Sequence, residues 1–164
     1  IRDRGYLMES QLTILSESLD RKLEVLQKIQ EYNKHQEEIF SAQNVDISQF
    51  DAAVEEKQRL IDEVVRLDDG FEIMYAKLAK ELEGNRQHYA AQIRELQTKV
   101  AKVTELSVSV QAQEARNKKL VENYFARERA GIGQRRKSAK SAFDYYKSMS
   151  GAGYVPPQMY DNKQ

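Results

Sequence analysis

Hydrophobic residues recur every three or four positions through most of this chain, and they form three long stripes. The first stripe contains Leu12, Leu15, Leu19, Leu23, Leu26 and Ile29, and Phe40 returns to it. The second runs from Phe50 to Leu82, and the third runs from Tyr89 to Tyr124. This spacing predicts amphipathic helices over about residues 9–42, 48–83 and 86–148. Because helices of this length need tertiary packing, each stripe is expected to lie against another helix.

Local signals place the breaks between these helices. Asp46 or Ser48 can cap the second helix, and Gly84 followed by Asn85 can end it. Two glycines also allow a break in the third helix at residues 131–133. The predicted fold is all-α, with a long antiparallel helical hairpin and a long third helix. Together they would form an elongated, coiled-coil-like bundle of three to four helices.

The helical pattern covers a single domain of residues 9–149. Residues 1–8 precede the first stripe, and Met8 could be a natural start, so we expect an expression remnant or a disordered N-terminus there. Residues 150–164 contain both prolines of the chain and two further glycines, and this composition predicts a flexible tail.

Composition narrows the functional classes. The chain has no cysteine, which removes disulfides, thiolate metal sites and cysteine nucleophiles. That absence fits a reducing compartment, and we expect a cytoplasmic protein. No apolar run approaches the ~20 residues that cross a bilayer, so we expect no stable membrane insertion. The net charge is zero, which argues against a general polyanion binder.

The titratable residues do not form a recognisable reaction centre. Neither His35 nor His88 has a glutamate three residues before it, as a di-iron bundle requires. The paired carboxylates alternate with basic residues such as Lys57 and Arg59, which indicates solvated helix faces. Asp68 is the exception, because it falls within the hydrophobic stripe, at a seam position between packed helices. A polar residue there can set how two helices align along each other. We therefore predict a protein that is not an enzyme, with no catalytic residue, metal or cofactor.

The C-terminal third combines basic and apolar residues. Six basic residues lie between Arg127 and Lys140, with Glu128 as the sole acid. They could contact nucleic acid or an anionic membrane surface, through Arg135, Arg136 and Lys137 in particular. We expect no nucleic-acid partner, because a set of apolar side chains lies close by. These are Leu120, Val121, Tyr124, Phe125, Ile132, Phe143, Tyr145 and Tyr146.

Two arrangements of this apolar segment are open. The third helix could outrun its partners from about Lys119 and offer the apolar face to another protein. Alternatively, a turn at Gly131 and Gly133 could fold the segment back as a fourth helix and bury the face internally.

Three stretches of the chain resemble the FlgN-type flagellar export chaperones. The first helix contains Leu12-Thr-Ile-Leu15 and Lys22-Leu-Glu-Val-Leu26, and the central helix contains Glu55-Glu-Lys-Gln-Arg-Leu-Ile-Asp-Glu-Val-Val-Arg-Leu-Asp68. The third stretch is Asn117-Lys-Lys-Leu-Val-Glu-Asn-Tyr124, followed by a tyrosine-rich tail that includes Tyr160-Asp-Asn-Lys163.

The resemblance implies a chaperone that binds hook-filament junction proteins, prevents their premature assembly and delivers them to the export gate. It also implies substrate binding by the C-terminal helical region, which here contains Leu120, Val121, Tyr124, Phe125, Ile132 and Phe143. A C-terminal tyrosine would dock to the gate, and the candidates are Tyr145, Tyr146, Tyr154 and Tyr160. The alternative hypothesis is a coiled-coil scaffold that forms a homo-oligomer through its C-terminal helix.

Overall fold

The computed structural model describes residues 2–128 and 133–151, and these residues form four helices without a strand. Helix α1 spans Arg2–Ser41, α2 spans Ile47–Gly84, α3 spans Ala90–Arg127 and α4 spans Gly133–Gly151. The prediction of an all-α helical bundle is confirmed.

Helix α1 lies between α2 and α3 and packs along both of them. Arg21 of α1 bonds Glu63 of α2, whereas Gln36 bonds the earlier Lys57, so the first two helices are antiparallel. The contacts of α1 with α3 keep a nearly constant sequence offset, which makes that pair parallel. They include Ser16 with Glu95, Gln30 with Ser109, and Asn33 with Gln113.

The fourth helix returns along the other side of α2 and α3. Ser138 Oγ donates to Asp51 Oδ2 over 2.8 Å near its start, and Tyr145 reaches Glu114 near its middle. Helix α4 packs closely on α2 and more loosely on α3. The described part of the bundle therefore has four helices at one end and three at the other, and the fold-back arrangement is the correct one.

Helix α3 does not outrun the hairpin. It ends at Arg127, where the Glu128 N–H bonds the Tyr124 carbonyl over 3.1 Å. The Tyr124 ring lies 5.5 Å from the Phe40 ring of α1, so the end of α3 is level with the α1–α2 loop. Without an overhang, most of the apolar face of α3 is covered by its own chain. The segment 86–148, predicted as one helix with a possible break at 131–133, forms two helices, Ala90–Arg127 and Gly133–Gly151.

The N-terminal boundary also differs from the prediction. Helix α1 begins at Arg2, and Met8 is only 3% exposed. Met8 stands one turn before Leu12 on the same stripe, so the core begins earlier than the leucine pattern suggests. The expectation that residues 1–8 lie outside the fold is wrong for residues 2–8.

The start of the second helix has a definite cap. Asp46 Oδ1 accepts a hydrogen bond from the Gln49 N–H over 3.2 Å, so Asp46 rather than Ser48 provides the side-chain bond. This satisfies one of the free amides in the first turn. Residues 85–89 form the turn before α3, which begins four residues later than predicted.

Most of the predicted stripe residues form one continuous core. Leu23, Phe40, Tyr75 and Ile93 lie at its edge and are only partly buried. Within residues 2–128 and 133–151, no helix is both long and apolar enough to cross a membrane.

Candidate partner-binding groove and the polar layer beneath it

A layer of polar side chains crosses the core at the four-helix end, and every helix contributes to it. Its members are Gln36 of α1, Lys57 of α2, Glu114 of α3, and Tyr145 and Tyr146 of α4. Lys57 and Glu114 have no exposed surface, and Lys57 Nζ lies 2.6 Å from Glu114 Oε1. Lys57 also donates to Gln36 Oε1 over 2.9 Å. A buried ion pair of this kind needs such additional bonds to offset its desolvation.

The two tyrosines of α4 complete the layer. Tyr145 Oη donates to the second oxygen of Glu114, and Lys57 Nζ lies 4.4 Å from the centre of the Tyr145 ring. Gln36 Nε2 donates to Tyr146 Oη over 2.9 Å. A cation held over an aromatic face gains further electrostatic stabilisation. Docking of α4 therefore gives the ion pair between α2 and α3 its remaining partners.

Burial dominates the titration of this layer. It lowers the pKa of Lys57, although Glu114 acts in the opposite direction. It also raises the pKa of Tyr146, with a further contribution from the Glu114 charge, so that hydroxyl stays protonated near neutral pH.

The polar layer corrects one expectation drawn from the sequence and adds a buried residue that the sequence analysis did not identify. Lys57 was assigned to a solvated face, yet it continues the buried stripe between Val54 and Ile61. Glu114 occupies the same kind of position four residues after Val110. Both residues could have been placed in the core by keeping the three-four spacing of each stripe at every position, including positions occupied by charged residues.

Two polar residues near the end of the first stripe are also buried. Asn33 and Gln36 are 1% and 0% exposed, so they belong to the core, although polar residues at these positions interrupt the apolar stripe in the sequence. The Asn33 side chain donates from Nδ2 to Gln113 Oε1 over 3.3 Å, and the Asn33 backbone carbonyl accepts a bond from Asn117 Nδ2 over 3.0 Å. Gln36 bonds both Lys57 and Tyr146. Hydrogen bonding to other helices is what allows these side chains to replace leucine at seam positions.

A second, partly buried ion pair lies toward the three-helix end. Lys22 Nζ is 2.6 Å from Asp68 Oδ1, and the Lys22 side chain is 3% exposed. Burial raises the pKa of Asp68, while Lys22 opposes that change. The prediction that Asp68 occupies a seam position is confirmed, and its partner fixes the register of α1 against α2.

An apolar groove of about 370 Å³ opens between α3 and α4, directly above the polar layer. Val121 and Phe125 form its α3 wall, and Ala139, Ala142 and Phe143 form its α4 wall. The alanines leave space that larger side chains would fill, and α4 approaches α3 only loosely. Phe143 stands at the edge of the groove with 69% of its surface exposed.

The rim of the groove is charged. Lys118 and Glu122 of α3 and Lys147 of α4 line it, and all three side chains are exposed. Tyr146 reaches the groove as well as the buried layer, so the groove and the layer share a residue. A partner side chain that enters the groove would therefore contact Tyr146 of α4, which is held in place by the buried polar layer.

The structure brings together three of the six residues expected to bind a substrate protein. Val121, Phe125 and Phe143 line the groove. Leu120 and Tyr124 are half-buried and do not line it, and the Tyr124 ring packs against Phe40 instead. Ile132 lies outside the described residues.

The tyrosines expected to dock to an export gate fall into two groups. Tyr145 and Tyr146 are 1% and 6% exposed, so both are core residues. Tyr145 could reach another protein only if α4 left the bundle, whereas Tyr146 also lines the groove. Neither of these two candidates is an exposed residue in this arrangement of the helices. Tyr154 and Tyr160 lie outside the described residues.

The histidines have ordinary surroundings. His35 Nδ1 lies 3.9 Å from Glu38 Oε2 on an exposed face, and the His88 ring packs edge-on against Tyr89. In the part of the chain that the structure describes, no cluster of three or more histidine, aspartate or glutamate side chains could hold a metal ion. The groove is therefore the best-defined candidate site.

The chain matches no protein-family model, no curated protein and no solved structure. The interpretation of the groove consequently depends on its own geometry and chemistry.

Proposed function

We propose that this protein is a binding protein without catalytic activity that holds an amphipathic helix of a partner protein in the groove between α3 and α4. The observation that carries this proposal is the exposed Phe143 beside an apolar groove with a charged rim. A helix that lays apolar side chains into a hydrophobic groove is a recurring mode of protein recognition.

The shape of the groove suits a helix better than a small metabolite. Its volume of about 370 Å³ is at the low end of the ~300–1,000 Å³ of small-molecule pockets, and it is open along two helices. A partner helix could place one or two anchors above Ala139 and Ala142 and cover Phe143. Complete burial of that phenylalanine would contribute about 1.5–3 kcal/mol.

In its more specific form, the proposal is a cytoplasmic flagellar type III export chaperone. The resemblance to the FlgN-type family supports it, because the groove lies in the C-terminal helical region to which that resemblance assigns substrate binding. The partners would be hook-filament junction proteins and the export gate. Binding would hold the substrate in its monomeric form by mass action, and Tyr154 and Tyr160 remain the candidates for gate docking.

Binding of a labelled terminal helix from a hook-filament junction protein, followed by fluorescence anisotropy, tests this proposal. Ala139→Leu places a larger side chain in the groove and is expected to weaken binding at least about tenfold, since overfilling a packed site costs roughly 1–3 kcal/mol. Ala101→Leu is the matched control, because Ala101 is an exposed alanine of α3 that does not line the groove. It should bind like the wild type.

A second variant tests the exposed edge of the groove. Phe143→Asp should abolish binding, because it places a charge at the apolar edge of the groove. The melting temperature should stay close to that of the wild type, because most of this side chain is in solvent. Equal binding by the wild type and Ala139→Leu would contradict the groove as the site. Absence of binding to every junction protein would contradict the flagellar form of the proposal.

Less apolar surface is available for self-association, which the scaffold hypothesis requires, than the sequence suggested. That hypothesis requires the C-terminal apolar face for self-association, yet Val121, Tyr145 and Tyr146 are buried within the chain. Self-association through Tyr145 would require α4 to leave its position, and with α4 in place a second copy could use only the groove.

A further inference from the structure

We infer that the partner helix carries acidic residues on both sides of its apolar stripe. This inference depends on the proposed function, because it concerns the chemistry of the helix that occupies the groove between α3 and α4. It follows from the charges of the rim rather than from the apolar walls.

Lysines stand on both walls of the groove. Lys118 belongs to α3 and Lys147 to α4, and both are exposed residues that line it. Lys140 is exposed seven residues before Lys147, so it extends the same edge of α4 by two helical turns. A helix lying along the groove would therefore pass between positive charges on its two flanks.

The acidic groups nearby only partly offset these lysines. Glu122 is the one carboxylate among the described residues that line the groove. Asp144 of α4 is exposed between Lys140 and Lys147 and, like Lys140, does not line the groove. The two lysines that do line it, Lys118 and Lys147, therefore outnumber its single carboxylate. In the described part of the chain, none of the three lysines forms an ion pair with a carboxylate within 4 Å. Their charges are therefore available to a partner.

The charges on α1 and α2 also favour binding of an acidic helix between α3 and α4. Acidic residues outnumber basic ones between Glu37 and Glu72, and this stretch lies on α1 and α2. Glu37, Glu38 and Asp62 are among its exposed members. An acidic helix would be repelled by the α1–α2 side and attracted to the α3–α4 side, and such complementarity sets both orientation and association rate.

Three synthetic helical peptides separate the contribution of the flanking charges to the binding affinity from the contribution of the apolar side chains. They share the same leucine and phenylalanine anchors at helical spacing, and their flanking positions carry glutamate, glutamine or lysine. Dissociation constants are measured by anisotropy with the full chain at low and at high salt. Each exposed ion pair contributes only up to about 1 kcal/mol, and two such pairs together correspond to about a tenfold change in affinity. The glutamate peptide should therefore bind about tenfold more tightly than the glutamine peptide at low salt. The lysine peptide should bind most weakly, and high salt should reduce the differences.

Charge-removing variants test whether the rim causes the preference. Lys118→Gln with Lys147→Gln should make the glutamate and glutamine peptides bind about equally. Lys77→Gln with Lys80→Gln removes the same charge from exposed positions on α2 that do not line the groove. This control should retain the preference for glutamate.

The outcomes separate this inference from the proposed function. If the glutamine peptide binds as well as the glutamate peptide and Ala139→Leu weakens both, the groove binds helices and the inference is wrong. Tighter binding of the lysine peptide, or a glutamate preference that survives Lys118→Gln with Lys147→Gln, also overturns it. If no peptide binds, the proposed function itself fails.

Discussion

Lys57 carries a charge into the core and has no exposed surface. Taking an ammonium and a carboxylate out of water costs several kcal/mol for each ion, and their mutual attraction offsets this only when every bonding direction is used. Gln36, Glu114 and the Tyr145 ring use those directions, and they come from three different helices. A helix that slipped along its neighbour would leave one of these groups buried and unpaired, so the layer selects a single register.

Removing one member of the pair should cost more than removing both. Lys57→Met leaves the Glu114 carboxylate buried without its cation, so we expect the unfolding free energy to fall by about 3–5 kcal/mol. Lys57→Met with Glu114→Leu should recover most of that loss, because no buried charge remains. Urea unfolding followed by circular dichroism measures both values, and Lys77→Met provides an exposed control. Equal stability of the single variant and the wild type would show that the pair is not buried in solution.

The buried lysine should also give a pH dependence of stability. Burial lowers the pKa of Lys57 in the folded protein below the ordinary lysine value of 10.5 that the unfolded chain recovers. Between these two pKa values the unfolded state binds more protons, so the unfolding free energy should rise with pH in that window. Below the window Lys57 is charged in both states, and its unfavourable contribution is constant.

The variant Lys57→Met with Glu114→Leu supplies the reference for that measurement. Subtracting its unfolding free energy at each pH removes the titration of the remaining tyrosines and lysines. A difference that falls as pH rises would mean that Glu114 raises the pKa of Lys57 more than burial lowers it.

At the scale of elements, α1 and α4 have unequal roles. Helix α1 packs along both α2 and α3, whereas α4 packs closely on α2 alone and is half as long as the other helices. Helix α4 is therefore held by a small apolar contact and by the bonds of Tyr145, Tyr146 and Ser138. Elements with few buried contacts open at lower free energy than the rest of a fold.

Hydrogen exchange should reveal this difference directly. We expect the amides of α4 to exchange faster than those of α1 in the same protein, because α4 can open without exposing the α1 core. Tyr145→Phe keeps the ring and removes the bond to Glu114, so it should speed exchange in α4 by about fivefold, corresponding to roughly 1 kcal/mol. Exchange measured by mass spectrometry tests both points. Equal protection of α1 and α4 would show that the four helices open as one unit.

At the scale of the whole molecule, the described residues combine the apolar groove between α3 and α4 with apolar residues that are scattered over the rest of the surface. The large exposed ones away from the groove are Tyr6, Leu7, Ile14, Ile73 and Val108. They are distributed over three helices, and scattered apolar residues are normal on a protein surface. The described structure therefore contains no broad apolar face of the kind that obligate dimers bury.

The chain should accordingly behave as a monomer without its partner. Size-exclusion chromatography with light scattering should give the mass of one chain over a wide range of concentration. A stable dimer that persists on dilution would favour the scaffold hypothesis. In that case, Phe143→Asp would show whether the groove forms the dimer contact.

The sequence alone determined the helical class and most of the core, because amphipathic periodicity is a local property read within a few turns. Leu12, Ile61 and Val100 could be placed in the core from their spacing. Three features were decided only by the tertiary structure. Lys57 and Glu114 are 57 residues apart, so the fact that they satisfy each other depends on helix register. The return of α4 was one of two arrangements that the spacing allowed, and the groove exists only because α4 packs closely on α2 and loosely on α3.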